Sequence, residues 1–470
     1  MMKRNTDNNF FNIIFVIVVL CLPVLLSEIS FFPDSVKNGL TLFALCGLIL
    51  CFLWLNRPVY WLPIFLTYSL SGSFDLSISI PGVNPLNICF GLACFSFIIN
   101  GWWRELKKDS SRNAIIFILI LYFMLRVVAI FRTDPSCLLP VVSALLRNFI
   151  ILIISYVALN CEIEKNPDKP PRDLVLFLML LISFILIVFI CAIPWDAYKL
   201  ATAGYKYSQF RNELGRGANG IGFLAGISFV YLLFLCLAVK SKFLKVFLMT
   251  GAAVAIFDVL LSFSRTGLIA ICLSIVIMLL ISGKFNRLAF FVAIGIYTVY
   301  FIIPDKYFIR FYEMVEHPEI IYGGDLSRWE VNFYPLFRAM KENPLFGLGF
   351  RGYMIEYGGD SIFRTHNAYS EELTETGILG AVALAWLIWK IYKQMNVQRK
   401  CGAKGLSIEN ISLVVFLFWI IFATQGSLSI ESSSGGLIFI LLGVMLSYNH
   451  ALMAQSFSGN EDKPADVELK

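Results

Sequence analysis

Charge is scarce in this chain. Of its 470 residues, 15% are Asp, Glu, Lys or Arg and 58% are hydrophobic, with a mean hydropathy of +0.75. A soluble domain carries about 25% charged residues. A soluble fold of this length could not cover its surface with so few, so lipid must cover much of it. Histidine occurs only three times. Cysteine occurs eleven times, but never as CxxC, and none falls in the stretch 304–368. Nearly all the cysteines lie in or beside apolar runs. They read as small buried hydrophobes, not as a disulfide framework or a metal site. There is no Gly-rich phosphate loop, no GxSxG and no DxD, so nucleotide-dependent chemistry has no support. The net charge of +6 does not indicate nucleic acid as a partner. Lys and Arg sit in short links between apolar runs, where they set membrane orientation.

Long apolar runs are abundant. A span needs about 20 mostly apolar residues. Spans are expected near 10–27, 39–56, 58–72, 85–101, 113–131, 137–160, 172–193, 218–239, 244–262, 265–282, 287–303, 374–393, 409–425 and 434–450. The fold class is an all-α polytopic membrane protein, with about 12–14 transmembrane helices and one large outer loop. The first run follows Met1-Met2-Lys3-Arg4, as in a signal peptide. The stretch Cys21 to Leu26 offers no small-x-small cleavage site, so the run reads as a retained span. Alternate links are basic: Arg57; Arg104 to Arg112; Lys165 to Arg172; Lys240 to Lys245; Lys284 and Arg287; Lys390 to Lys404. All fall on one side if both termini are cytoplasmic.

The expected organisation is a set of N-terminal helices over 1–203 and helices with outer Arg segments over 204–303. A large outer loop over 304–373, C-terminal helices over 374–455 and a disordered polar tail over 456–470 follow. No internal repeat is visible, which weakens an inverted-repeat transporter reading. Two outer segments stand out, 194–217 and 304–368. The second has about 65 residues, and loops that long usually carry function. Within it Trp329, Phe333, Leu336 and Met340 fall at helical spacing, which predicts an amphipathic helix near the membrane surface. Pro335 is expected to kink that helix, and Asn343-Pro344 to end it.

The informative charges break the positive-inside pattern. Arg211, Arg216, Arg265, Arg328 and His366 all map to the outer face. Arg265 occupies a tight turn between two apolar runs, in Ser262-Phe-Ser-Arg-Thr-Gly267. Its alternatives are snorkelling to lipid phosphates and forming an anion site; the accompanying outer cations favour the anion site. His366 sits beside Arg364, Asn367 and Tyr369, just before a span. An imidazole exchanges protons near neutral pH. Arg126 and Arg147 lie within spans, as does Asp258. They suggest a buried Arg–Asp pair, or service to a buried anionic headgroup. Glu371, Glu372 and Glu375 suit the N-terminus of the helix they open.

These pieces resemble the O-antigen ligase and O-antigen polymerase superfamily of bacterial envelope glycosyltransferases. The resemblance spans roughly 205–395. It rests on an Arg-containing segment ending in Asn219, then Ser264-Arg265-Thr266-Gly267, then Ser327-Arg328-Trp329. It continues through Asn343-Pro-Leu-Phe-Gly347-Leu-Gly349, Thr365-His366-Asn367 and Glu375-Thr-Gly377-Ile-Leu-Gly380. The order of these segments, with a long outer loop between spans, carries the likeness. It implies an inner-membrane enzyme whose donor is a glycan on undecaprenyl pyrophosphate, presented at the periplasmic face. It also implies an inverting, metal-independent transfer to a glycan or a lipid A–core acceptor, with no cofactor. Arg211 or Arg216, together with Arg265, would hold the pyrophosphate, since guanidinium forks suit phosphate. Asn219, Arg364, Asn367 and Arg147 join the candidate binding set. His366 would activate the acceptor hydroxyl or assist charge development, and Arg328 would organise the loop or contact the donor.

Ligase and polymerase differ only in acceptor. The ligase type is the expectation, with a polymerase of the same family as the alternative. A flippase or transporter of lipid-linked oligosaccharide is the reading from another class. It is supported by the charges within spans and opposed by the long outer loop.

Overall fold

The computed structural model describes residues 57–71, 85–104, 110–133, 138–166, 170–202, 217–262, 264–282, 328–350, 367–400, 408–424 and 435–458, with positions 16, 35, 39 and 352 besides. After a 3-10 turn at Pro58–Tyr60 come α1 (Trp61–Ser71), α2 (Pro85–Ile99), α3 (Ser110–Phe131) and α4 (Leu138–Lys165). Then follow α5 (Pro171–Thr202), α6 (Gly217–Ala238), α7 (Lys242–Ser262) and α8 (Arg265–Ser282). The chain continues through α9 (Arg328–Glu342), α10 (Ala368–Lys400), α11 (Ile408–Ala423) and α12 (Gly435–Ser458). The protein is an all-helical, multi-pass membrane protein.

Six of these helices are long and apolar enough to cross a bilayer, and five shorter ones are apolar. In lipid every backbone group must be satisfied within the segment, and a helix does this. The expected spans 10–27, 39–56 and 287–303 lie outside the described residues. The others each meet a helix. The shortest expected span, 58–72, is the turn at Pro58–Tyr60 continued by α1. α5 runs on through Pro194 to Thr202, so the first part of the expected outer segment 194–217 is helical.

The two kinds of surface separate cleanly. Phe243 is 79% and Val246 68% exposed, as lipid-facing side chains of a membrane helix are. The inward faces of the helices pack closely wherever residues are small. At Gly251 of α7 a Cβ would lie 2.5 Å from Ile187 of α5, and at Gly443 of α12 one would lie 2.5 Å from the Leu152 carbonyl of α4. Several buried hydroxyls find partners across helices. Tyr231 donates to the Met179 carbonyl at 2.7 Å, and Ser447 to Asn160 at 2.6 Å.

Asp258 on α7 is fully buried, and neither carboxylate oxygen has a hydrogen-bond partner among the described residues. The expected Arg–Asp pair does not form: Arg126 pairs elsewhere, and Arg147, half-buried on α4, makes no ion pair among the described residues. A buried carboxylate without a partner contributes nothing to stability. Asp258→Asn is therefore expected to leave the melting temperature in detergent unchanged or to raise it by a few degrees. A clear drop would mean that a partner completes the site.

α10 departs most from expectation. A span is expected over 374–393, but the helix breaks at Gly377, whose φ is 69° and ψ −163°. In a straight helix Tyr369 and Ile388 would stand roughly 28 Å apart. Here Ala368, Tyr369, Glu371 and Glu372 line one small cavity of about 20 Å³ together with Leu384 and Ile388. The chain therefore bends sharply back at Gly377. A short limb, 368–376, rises beside α3, with Tyr122 meeting Glu372 and Arg126 meeting Glu375. A long limb, 378–400, then descends.

Candidate active site

The break in α10 strands backbone groups, and the segment 343–350 satisfies them. The carbonyls of Thr374 and Glu375 end the short limb. They accept from the amides of Leu348 and Gly349 at 2.8 and 3.0 Å. The amides of Ile378 and Leu379 open the long limb. They donate to the carbonyls of Pro344 and Leu345 at 2.9 and 3.3 Å. Gly347 and Gly349 take positive φ, 66° and 90°, a region that glycine enters without strain. The C-terminal end of α3 closes the clasp from the other side. Arg132 donates to the carbonyls of Phe346 and Gly347 at 3.0 and 2.9 Å, and Thr133 to that of Phe350 at 2.7 Å. The Phe350 amide donates to the Ala129 carbonyl at 3.0 Å. The glycine-rich motif is thus a backbone splint for a broken membrane helix.

α9 precedes the splint and ends before Asn343, as its sequence predicts; it runs continuously through Pro335. Its buried face centres on Pro335 and Ala339. Phe333, Leu336 and Met340 are half-buried, while Tyr334 and Phe337 stand exposed with Leu345 and Phe346. The apolar stripe read from spacing is therefore rotated from the face the helix buries.

At the other end of the short limb, Asn367 is the N-cap. Its Oδ1 accepts from the amides of Tyr369 and Ser370 at 2.9 and 3.2 Å, as a capping Asn does. Tyr369 donates to the Ile420 carbonyl near the end of α11 at 3.0 Å. Across α11, Phe422 and Phe418 meet Phe223 of α6, with ring centroids 5.1 and 6.0 Å away. Beside Phe223, Gly222 abuts the turn between α7 and α8.

That turn is built by two serines. The Ser264 amide donates to Ser262 Oγ at 3.3 Å, and the Gly267 amide to Ser264 Oγ at 3.2 Å. Ser264 therefore caps α8 and Arg265 is its first helical residue. A Cβ on Gly222 would lie 2.2 Å from Ser264 Cβ, and one on Gly267 would lie 2.9 Å from the Gly222 carbonyl oxygen. Gly222→Val is expected to push this turn off α6. Transfer activity and the thermal stability of the purified protein should fall together; wild-type values for both would show the contact to be dispensable.

Three predicted pieces thus meet around the C-terminal end of α11: the first turns of α6 with Asn219, the Arg265 turn, and the Asn367 cap. For Arg265, Arg328 and Asn219 the structure describes the backbone only. Arg211, Arg216, Arg364 and His366 lie outside the described residues. Arg147 stands apart on α4, next to Asn148, which lines an apolar cavity of about 260 Å³ between α3 and α4.

The sequence reading missed the interior of the site. Glu372 and Glu375, read as acids at a helix start, are 4% and 0% exposed. The Arg126 guanidinium donates to Glu375 at 2.5 Å and lies 3.6 Å from Glu372. Tyr122 donates to Glu372 Oε2 at 2.7 Å, and Thr376 to its Oε1 at 2.6 Å. The Phe350 ring sits 5.9 Å from the Arg126 guanidinium carbon, near enough for a cation–π contact. An Arg within one apolar span and paired Glu one turn apart in another was the available signal.

The family model described as O-antigen ligase matches residues 250–385. Over this segment the chain is similar to the O-antigen ligase family. The segment contains the Ser264–Gly267 turn, α9, the splint, the Asn367 cap and the bend at Gly377. Arg126, Asn219 and Gly222 lie outside the O-antigen ligase match and complete its packing from α3 and α6. No curated protein matches the chain.

Proposed function

We propose that this protein is a polyprenyl-pyrophosphate-dependent glycosyltransferase of the O-antigen ligase type. It acts in the bacterial inner membrane, with its active face toward the periplasm. The observation that carries the reading is the meeting of the Arg265 turn, the α6 N-terminus and the Asn367 cap at one end of the bundle, within and beside the segment similar to the O-antigen ligase family.

The donor is a glycan on undecaprenyl pyrophosphate; the acceptor is a glycan or lipid A–core. Transfer breaks the bond from the anomeric carbon to the pyrophosphate oxygen and forms one to the acceptor oxygen, with inversion. The leaving group departs as a diphosphate that gains negative charge. Arg265, with Arg211 or Arg216, neutralises that charge. Fixed donors aimed at developing charge are usually a large catalytic contribution. The N-terminus of α8, opened by Arg265, adds a favourable dipole for an anion. His366, next to the Asn367 cap, takes the proton from the acceptor hydroxyl. Arg328, at the start of α9, and Arg364 bind the donor from the loop. Asn219 and Asn367 frame the site, and Arg147 serves the lipid-linked headgroup from α4.

A reconstituted assay tests this, with purified protein, lipid-linked glycan and a panel of acceptors. Transfer to lipid A–core is expected. Transfer only to a second lipid-linked repeat unit would make the protein a polymerase, and no transfer to any acceptor would overturn the enzyme reading. The transporter reading drew support from Arg126, Arg147 and Asp258 as charges within spans; of these, Arg126 is committed to Glu372 and Glu375.

A further inference from the structure

The short limb of α10 poses a physical problem. It has nine residues, and a helix of that length is marginal on its own. Glu371, Glu372 and Glu375 on it are all buried, at 6%, 4% and 0% exposure. Buried carboxylates need paired charge to remain ionised in a low-dielectric interior. Arg126 of α3 supplies that charge to two of them. The same guanidinium is covered by Phe350 of the splint. One side chain thereby ties α3, the splint and the short limb together. The limb begins at the Asn367 cap, one residue after His366.

We propose that Arg126 is a positioning residue: by holding Glu372 and Glu375 it fixes the short limb within the bundle, and so fixes the Asn367 cap that directly follows His366 in the chain. Arg126 meets the limb in its second turn, not at the cap, so it acts on the reaction through geometry. This inference rests on the reading of His366 as the proton acceptor. A misplacement of about 1 Å at a reacting group costs on the order of 100-fold in rate, which is the scale on which a loosened limb would register.

The experiment uses full-length protein in proteoliposomes, with Arg126→Met, Arg126→Lys and His366→Ala. Two properties are measured: hydrogen exchange of peptides over 367–380, and kcat and KM for glycan transfer. For Arg126→Met, exchange over 368–376 is expected to rise roughly tenfold or more while α4, α6 and α7 stay protected. Its kcat is expected to fall about 10- to 100-fold, with KM for the donor within about twofold of wild type. Arg126→Lys keeps the charge and should recover most of both. Unchanged exchange over 368–376 overturns the proposal, as does a released limb with wild-type kcat. If Arg126→Met does not accumulate, the double variant Arg126→Met, Glu375→Met removes the buried pair while keeping its volume. A folded double variant with low kcat supports positioning; one with wild-type kcat overturns it. Full activity in His366→Ala would remove the reading of His366, while the exchange data would still decide whether Arg126 holds the limb.

Discussion

Replacing Arg265 or His366 with alanine is expected to lower kcat for glycan transfer by about 100- to 1,000-fold, with folded yield close to wild type. Arg265 opens α8 after the Ser264 cap. The cap comes from serine, and the tight packing of the turn comes from Gly222 and Gly267, so removing the guanidinium leaves the turn intact. The loss should therefore appear in the chemical step and not in stability. Arg265→Lys keeps the charge but not the planar fork, so an intermediate loss of roughly tenfold is expected. His366→Ala should leave the Asn367 cap in place, because the capping bonds run from Asn367 to Tyr369 and Ser370. The check is single-turnover transfer on protein matched for thermal stability. Wild-type rates in both variants would end the assignment of this end of the bundle as the active site.

The second large effect is expected at Gly377, and it is structural. Its φ of 69° with ψ of −163° lies in a region that is essentially reserved for glycine. A Cβ there would also lie 2.5 Å from the Gly347 amide nitrogen and the Leu345 carbonyl oxygen. Gly377→Val must undo the bend or expel the splint. Either outcome strands the carbonyls of Thr374 and Glu375 and the amides of Ile378 and Leu379 in an apolar setting, where each unsatisfied group is costly. A loss on the order of 4 kcal/mol or more follows, at the severe end for one substitution. Folded protein should nearly vanish from the membrane fraction, with a similar outcome for Gly347→Val. Normal accumulation of either variant would mean that α10 does not bend as described.

Composition alone made the bundle legible. Twenty-residue apolar runs with basic links leave few alternatives to membrane helices, and even the short helix after Pro58 could be placed. The Arg265 turn and the Asn367 segment could also be read, because a cation or an imidazole beside an apolar run is conspicuous. The bend in α10 could not. Residues 378–389 carry no charge and are mostly apolar, so hydropathy shows a span and nothing of its direction near Gly377. The roles of Glu372 and Glu375 were hidden for the same reason. Acids at a helix start have a sufficient local explanation, and only the fold brings Arg126 from some 250 positions away. The face that α9 packs against the protein could not be read from its apolar stripe, because it centres on Pro335 and Ala339, small and weakly hydrophobic.

The splint has one more consequence. Residues 343–350 are pinned to α10, and Asn367 is pinned by its own cap, so the stretch 351–366 is an excursion anchored at both ends. The hydrogen bonds described across the bend come from residues 344–349, which precede that stretch. A graft of 351–363 that keeps Arg364 and His366, taken from a protein with a different acceptor, is therefore expected to exchange selectivity while the bent helix folds as before.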